Sequence, residues 1–408
     1  MLTIHRTNRR SSLYYVESIT QINEPRTEYN GRATALLQYI PLNIFDWEQQ
    51  NRDFKWYIKV PIATGQTEIV HEGSYVNYLK INGFISANDD DRAKKIIDRS
   101  NQLLRRAENM IDHNHKIPEL NNISMLFSYH VNVGHGNLSL LVIEHNHKIS
   151  IWMVDGSNFD ARIRRNYTTE IKNCLDHIIR KFGLSRTPHI DVLMITHAHY
   201  DHYSGITAFI RNGLIDSHTL VYLNLNIKTN SHNFNNLLTA IIDNKMVIIP
   251  PFVQNSSQNI NILYPDQKTY SNSLKLNNTS SVYCIQFDET PYFVFPGDLE
   301  SSGWDLMDNN HCCPYMKSPK YYAISHHGSK NGHIRHKCKF RHIESIADCL
   351  NQQTKTVLMG RNKAFDGIYS DCVLKDFKGR LYYSEKDNCN NYSEFLEIDL
   401  LSGTESWY

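Results

Sequence analysis

The sequence predicts a layered α/β fold in which helices cover the faces of β-sheets. From about residue 123 onward, runs that read as strands alternate with helical segments, and several consecutive strands read as hairpins. The composition agrees, because 41% of the 408 residues are hydrophobic and 21% are charged, as in a globular protein with a sizeable core. Disorder, collagen-like repeats and coiled coils are therefore disfavoured.

Residues 1–120 read differently and predict a small α+β extension. Their strand-like runs are short and mixed, and only the segment from Ser86 to Asn114 has a clear period. There, apolar residues recur at helical spacing behind an acidic first turn, which predicts one amphipathic helix of about 20 residues. No catalytic motif occurs in this part, so we expect it to pack on the main domain or to bind a protein partner.

Residues 121–408 predict the catalytic domain. Three β-rich runs separated by turn residues come first, followed by a helix, a buried strand and a helix that begins near Asp201. The predicted strands are ISMLFSYHVNV, NLSLLVIEHN, KISIWMVDG, HIDVLMITH, LVYLNLN, MVIIPP, INILYP, SVYCIQFD, YFVFPGD, KYYAISHH, TVLMG and RLYYS. The other predicted helices are ARIRRNYTTEIKNCLDHIIRKFG and NNLLTAIID.

The net charge excludes partners that are held by overall charge alone. The 43 Lys and Arg residues balance 42 Asp and Glu residues to +1, so nucleic acid would need a local basic patch. No apolar run reaches the ~18 to 20 residues of a membrane helix, and no apolar segment follows the basic start as in a secretion signal. We expect a cytoplasmic protein without a membrane span. Its eight cysteines form no CxxC pair and are expected to be free thiols.

The strongest chemical signal is the segment THAHYDHYSG, which follows the apolar strand DVLMI. Alternate residues of an extended segment project to one side, so His197, His199 and Asp201 can converge, while His202 turns with the chain into the next helix. Imidazole and carboxylate ligands suit Zn²⁺, Mn²⁺ and Fe²⁺, and a strand end holds them rigidly. The alternative is a polar loop in a chain that contains 21 histidines.

Two later strands also end in polar residues. The run FVFPGDLE ends in Gly297 and Asp298, which form either an ordinary turn or a carboxylate site that bridges two metals. The run YYAISHHGSKNG contains His326 and His327 after its apolar part. Two adjacent imidazoles cannot both follow one direction, so we expect one to bind metal and the other to face the substrate as a hydrogen-bond donor or general acid.

With the upstream runs VNVGHGNLSLLVIE and WMVDGS, the chain resembles the metallo-β-lactamase superfamily. The four motifs stand in the order of that family, and the match covers roughly residues 123–380. The resemblance implies an αββα sandwich, in which helices flank two mixed sheets. The segments VNVGHGN and SHHGS are most similar to the ComEC-type competence-nuclease branch, which is associated with DNA hydrolysis.

The resemblance also implies a site that holds one or two ions of Zn²⁺ or Mn²⁺. Its catalytic residues would be Asp201 and His327, and Asp155 would order the metal loop through hydrogen bonds. Many family members have a further histidine where this chain reads LVYLNLNIKTNS, so the number of metals stays open. The implied ligands are His197 and His199 for one metal, Asp201, His202 and His326 for the second, and Asp298 between them.

A basic stretch follows the SHHGS motif and predicts contacts with phosphate. Five Lys and Arg residues crowd the segment KNGHIRHKCKFRH without an acidic residue among them. This stretch is either a solvated loop or a phosphate-binding rim at the mouth of the site. On the second interpretation, Ser329, Lys330 and Arg335 contact the substrate, and nucleic acid is the candidate.

Three hypotheses of different class follow. The first is a metal-dependent hydrolase, a nuclease or phosphodiesterase that uses a metal-bound hydroxide, since two metals ~3.5 to 4 Å apart hold a nucleophile and stabilise the leaving oxygen. The second is a hydrolase of a small ester, lactone or nucleotide, with the N-terminal region narrowing its pocket. The third is a non-catalytic, metal-stabilised subunit of a larger complex.

Overall fold

The chain divides into two compact units in the structure, which is a computed structural model. One unit comprises residues 1–101 with 230–232, and the other comprises residues 102–229 with 233–408. The division at residue 101 falls inside helix α1 (Asp91–Glu108), and the functional division predicted at residue 120 stays a prediction. The structure describes residues 12–20, 33–40, 57–62, 74–79, 83–87, 89–112, 119–161, 163–185, 188–227, 231–270, 276–309, 316, 318–333, 345–361, 368–384 and 393–408.

The first unit contains a five-stranded antiparallel sheet with the strand order β3-β2-β1-β4-β5. Tyr15 and Tyr75 of this sheet cluster with Ala93 and Ile96 from the first turns of α1. Burial of this apolar face confirms the predicted amphipathic helix. The strands are β1 (Ser12–Thr20), β2 (Ala33–Ile40), β3 (Tyr57–Ile62), β4 (Tyr75–Leu79) and β5 (Gly83–Ser86).

The second unit contains two larger sheets, both of mixed strand direction. The first has eight strands in the order β13-β12-β11-β8-β7-β6-β20-β21, and the second has six in the order β14 to β19. The strands of this unit are β6 (Ile123–Val131), β7 (Ser139–His145), β8 (Lys148–Val154), β9 (Phe159–Asp160), β10 (Arg165–Asn166), β11 (Val192–Met194), β12 (Leu220–Tyr222), β13 (Val247–Ile249), β14 (Ile260–Tyr264), β15 (Val282–Phe287), β16 (Thr290–Phe295), β17 (Tyr321–Ala323), β18 (Lys355–Leu358), β19 (Leu381–Tyr383), β20 (Phe395–Asp399) and β21 (Thr404–Trp407).

The eight-stranded sheet is buried on both faces. Along β7, Leu140 and Val142 belong to one apolar cluster, whereas Leu141 and Ile143 belong to another, as the two-residue period of a strand requires. The second cluster also contains Phe293 and neighbouring side chains of the six-stranded sheet, so the two sheets pack face to face. The predicted α/β class and its layered packing are confirmed.

Helices cover the outer faces of the two sheets. Residues of α2, α4 and α5 lie in the cluster on the outer side of the eight-stranded sheet, and residues of α7 and α9 lie on that of the six-stranded sheet. The helices after α1 are α2 (Thr168–Phe182), α3 (Tyr200–Tyr203), α4 (Ile206–Arg211), α5 (His232–Asp243), α6 (Gln267–Tyr270), α7 (Ser301–Asn309), α8 (Lys330–His333) and α9 (Asp371–Asp376). Short 3-10 helices span Val253–Asn255, Leu276–Thr279, Ser325–Gly328 and Ile346–Cys349.

One predicted helix begins later than its sequence pattern indicates. We expected a helix from Ala161, but α2 begins at Thr168. The preceding Arg165 and Asn166 pair with β9 instead, and the side-chain oxygen of Asn166 accepts a hydrogen bond from the backbone N–H of Thr168 at 2.7 Å. An asparagine in this position stops the helix from extending toward its N-terminus.

Within the described ranges, no helix combines the length and the apolar character needed to cross a membrane.

A buried histidine between the two sheets predicts how stability changes with pH. His130 lies between Ser139 Oγ at 2.9 Å and Ser128 Oγ at 3.2 Å, and its ring centroid is 5.1 Å from that of Phe293. Burial lowers the pKa of His130 from 6.5 to about 3. The folded state therefore binds fewer protons than the unfolded state between these values, and stability falls as the pH falls through this window.

We expect this one group to remove about 2 kcal/mol of unfolding free energy between pH 7 and pH 5. Urea unfolding at both pH values, on the wild type and on His130→Gln, measures this loss. The variant, which has no imidazole at this position, should lose less stability than the wild type over the same interval. Equal losses in the two proteins would contradict the prediction.

Candidate metal centre

Polar residues follow the carboxyl ends of several strands in both sheets and lie in one region. β6, β8 and β11 run in the same direction, because β8 pairs parallel to β11 and antiparallel β7 separates β8 from β6. In the other sheet, β16 runs parallel to β17. Residues that follow the carboxyl ends of parallel strands share one edge of a sheet, which is where open α/β sheets bind ligands. The polar residues that follow these five strands are His135, Asp155, the segment 197–202, Asp298 and the pair 326–327.

Asp155 orders the segment that carries the histidine motif. Its Oδ1 accepts hydrogen bonds from the backbone N–H and the hydroxyl of Thr196, at 2.8 and 2.9 Å. Its Oδ2 lies 2.7 Å from Nδ1 of His202. Because a carboxylate only accepts, Nδ1 carries the proton and Nε2 of His202 turns toward the centre of the site. The orienting role that the resemblance implies for Asp155 stays a prediction.

Asp298 lies at the centre of the site and is almost fully buried. Its Oδ1 is 3.2 Å from Nε2 of His202, and its Oδ2 is 3.9 Å from Nε2 of His197. The ligand atoms of these three residues lie within 4.8 Å of one another. The preceding Gly297 has φ +58°, and a Cβ there would approach Cβ of Thr196 to 2.6 Å. Only glycine permits this close approach of the two strand ends.

A second group of three donors adjoins the first. Nε2 of His327 lies 3.6 Å from Oδ2 of Asp201 and 3.6 Å from Oδ2 of Asp298. Nε2 of His135 lies 3.5 Å from the same oxygen of Asp201. The ligand atoms of His135, Asp201 and His327 again lie within 4.8 Å of one another. The structure thus places two three-residue groups side by side.

Charge within the site is balanced between buried imidazoles and carboxylates. Burial lowers the pKa of His202, but the carboxylates of Asp298 and Asp155 outweigh burial and raise this pKa well above its ordinary value. Burial raises the pKa of Asp298, but the imidazoles of His327, His202 and His326 outweigh it and hold this pKa well below the ordinary value. Burial, followed by the nearby His202, lowers the pKa of His197.

The donor atoms fit a metal ion. Nε2 of His327 is buried and makes no hydrogen bond to any residue in the part of the chain that the structure describes; Nε2 of His202 and Oδ1 of Asp298 face each other at 3.2 Å and there make no other hydrogen bond. Nδ1 of His327 donates to the carbonyl oxygen of Met359 at 3.2 Å, which leaves the lone pair of Nε2 facing the site. Buried polar atoms without partners are costly, and a cation that replaces protons here would satisfy them.

Two predicted ligands lie beside these groups and not in them. Nδ1 of His199 is 3.0 Å from Nε2 of His197, the nitrogen that also faces Asp298. The side chain of His326 is 21% exposed, and its Nε2 lies 3.9 Å from Oδ2 of Asp298. His326 and His327 both have left-handed backbone conformations, with φ of 50° and 49°. This turn directs His327 inward and leaves His326 at the more exposed position.

The predicted substrate-binding residues are placed only in part. Oγ of Ser329 accepts a hydrogen bond from the backbone of Gly332, and Lys330 is exposed at the start of α8. Arg335 lies outside the described residues. Nε2 of His333, from the same basic stretch, lies 2.8 Å from Oδ2 of Asp376 and is buried, which indicates a structural role.

His135 is the site residue to which sequence reasoning gave no role. It stands in the glycine-rich segment VNVGHGN, directly after a strand, so its position has the same signal as the other strand-end histidines. The backbone N–H of Asn137 donates to the carbonyl oxygen of Asp201 at 3.0 Å, and a Cβ at Gly136 would approach that oxygen to 2.8 Å. The glycine thus allows the two loops to pack closely enough for His135 to reach Asp201.

No protein-family model matches the chain, and no curated protein matches it either.

Proposed function

We propose that the chain is a metal-dependent hydrolase with a metallo-β-lactamase-type αββα sandwich and a phosphodiester substrate. One observation carries the proposal: two buried groups of imidazole and carboxylate donors adjoin where the strands of two facing sheets end. The fold supports it, since two mixed sheets pack face to face with helices on their outer sides. The order of the strand-end motifs along the chain supports the family assignment.

We assign His197, His202 and Asp298 to one ion, and His135, Asp201 and His327 to a second. Mixed nitrogen and oxygen donors suit Zn²⁺ and Mn²⁺. Metal ions at such a site supply a hydrolytic nucleophile at neutral pH and stabilise charge on the leaving oxygen. In this assignment, His135 supplies an imidazole in a chain that lacks the further histidine of many family members.

The two adjacent histidines take opposite roles to those implied by the resemblance. His327 binds metal, since it is buried and faces both carboxylates. His326 faces the substrate as a hydrogen-bond donor, since it is the more exposed and its ring lies beside Asp298. Two polar side chains flank His326: Glu300 Oε1 lies 3.9 Å from its Nδ1, and Asn277 Nδ2 lies 3.5 Å from its Nε2.

Metal analysis and a substrate panel test the proposal together. We expect the purified chain to bind one or two equivalents of Zn²⁺ or Mn²⁺ and to cleave bis(p-nitrophenyl) phosphate or nucleic acid only when metal is supplied. Single- and double-stranded DNA and RNA in the panel would define the nuclease, and a lactone and a thioester represent the competing class.

Three other outcomes would reject the metal centre, the substrate class or the catalytic activity, respectively. A folded chain that binds neither ion at micromolar concentrations rejects the metal centre. Turnover of lactones or thioesters without phosphodiester cleavage rejects the substrate class. Metal binding without turnover of any substrate in the panel favours a non-catalytic, metal-stabilised subunit.

A further inference from the structure

An arginine lies beside the second donor group, after the end of a third parallel strand. β18 runs parallel to β17, and Met359, Gly360 and Arg361 follow its last residue. The carbonyl of Met359 accepts the hydrogen bond from Nδ1 of His327. A Cβ at Gly360 would lie 3.1 Å from the same nitrogen, so the backbone before Arg361 runs directly against the His327 ring.

A buried carboxylate fixes the arginine on its other side. Nε of Arg361 donates to Oδ2 of Asp160 at 3.2 Å, and the same oxygen accepts a hydrogen bond from the backbone N–H of His135 at 3.1 Å. Oδ1 of Asp160 accepts from the backbone of Ile163 at 3.3 Å. Asp160 thus links Arg361 to His135, while Met359 and Gly360 link it to His327. The arginine is held between two residues of one donor group.

Only one of the five donors of the Arg361 guanidinium has a partner in the described part of the chain, namely Nε. The side chain is 25% exposed, so it is partly open to solvent. A guanidinium that is fixed through Nε presents its outer donors in a planar fork, which matches two oxygens of a phosphate. Arg165, the first residue of β10, differs because its guanidinium pairs with Glu170 Oε1 at 2.6 Å.

We propose that Arg361 binds the substrate anion, a phosphate group of a phosphodiester, and that Asp160 positions it. This inference rests on the proposed hydrolase and names the substrate class of that same site. Arg361 would contact a non-bridging phosphate oxygen, which retains its charge throughout hydrolysis. A neutral ester has no such charge, so Arg361 should discriminate between the two classes of substrate.

The test compares Arg361→Gln and Arg361→Lys with the wild type and with Arg180→Gln, which removes an exposed arginine at the end of α2. Glutamine keeps a hydrogen-bond donor for the buried Asp160, and lysine keeps the positive charge but lacks the planar pair of outer guanidinium donors. Two readouts are used: calorimetric binding of inorganic phosphate to the metal-loaded protein, and KM and kcat for bis(p-nitrophenyl) phosphate and for p-nitrophenyl acetate. Metal content is measured for every variant.

We expect Arg361→Gln to weaken phosphate binding and to raise KM for the phosphodiester by about 10- to 100-fold, as for loss of a charge-assisted hydrogen bond. Metal content and any hydrolysis of the neutral ester should stay unchanged, Arg361→Lys should be intermediate, and Arg180→Gln should match the wild type. A loss of metal or an equal effect on both esters would show a merely structural ion pair and overturn the inference.

Failure of this inference can be distinguished from failure of the proposed function. If the wild type cleaves phosphodiesters and Arg361→Gln does so with the same KM, the hydrolase stands and the role of Arg361 is rejected. If the wild type cleaves no phosphodiester, the proposed function fails, and phosphate calorimetry alone decides whether Arg361 binds the anion. A wild type that binds no phosphate rejects the role of Arg361 in that case.

Discussion

Asp298→Asn should reduce metal-dependent hydrolysis by at least about 10²-fold while leaving the protein folded. The side chains of aspartate and asparagine have nearly the same shape, so the close packing of Gly297 against Thr196 is preserved. What changes is the charge: Asp298 Oδ1 lies 3.2 Å from Nε2 of His202, and Oδ2 lies 3.6 Å from Nε2 of His327. A neutral amide would not offset the charge of an ion held by His202, or of a second ion held by His327.

The measurement is metal content together with kcat for bis(p-nitrophenyl) phosphate. Asp288→Asn is the matched control, because Asp288 is exposed in the turn between β15 and β16 and its φ of 48° suits asparagine equally well. We expect this control to keep both metal and activity. If Asp298→Asn retains wild-type metal content and rate, then Asp298 does not hold the metal and the assignment of the first group is wrong.

The layered α/β class could be predicted because its signals are local. A strand that is buried on both faces reads as a continuous apolar run, and β7 and β8 have this pattern. The position of the site could also be predicted. Polar residues directly after such runs can share one edge of a sheet, which is how Asp155 contacts Thr196 and how Asp298 contacts His202.

Features that depend on distant pairings could not be predicted. β20 and β21 were absent from the predicted strands, although β20 pairs with β6 beside the site. The contact between His135 and Asp201 has the same origin, because the loops that carry them are 66 positions apart and meet only when the sheet forms. The likeness to the metallo-β-lactamase superfamily stays a prediction, as does its ligand set.

The roles of two adjacent histidines could not be decided from their spacing. In a regular strand their side chains would point to opposite faces, but both residues have a positive φ. Backbone in this region reverses the direction of the chain within a few residues, so the strand rule no longer applies. Which imidazole turns inward depends on Gly360 and on the Met359 carbonyl, which come from another strand.

We expect His327→Gln to lower the affinity for metal by about 10- to 100-fold. We expect His326→Gln to leave the metal content unchanged. His327 is 1% exposed in its side chain and its Nε2 is 3.6 Å from both Asp201 and Asp298. The nearest carboxylate oxygens to His326 are 3.9 Å away, and its ring is partly open to solvent. In His326→Gln, turnover should instead decrease by about 10²-fold, because a hydrogen-bond donor to the substrate is removed.

The pair is its own control, since each variant makes the same chemical change one residue from the other. Titration of the metal-free proteins with Zn²⁺, followed by kcat at saturating metal, separates binding from turnover. Excess metal should restore part of the activity of His327→Gln but none of that of His326→Gln, because only the first defect lies in metal affinity. The opposite result, with metal lost from His326→Gln and retained in His327→Gln, would support the ligand set that the resemblance implies and reject the one assigned from the geometry.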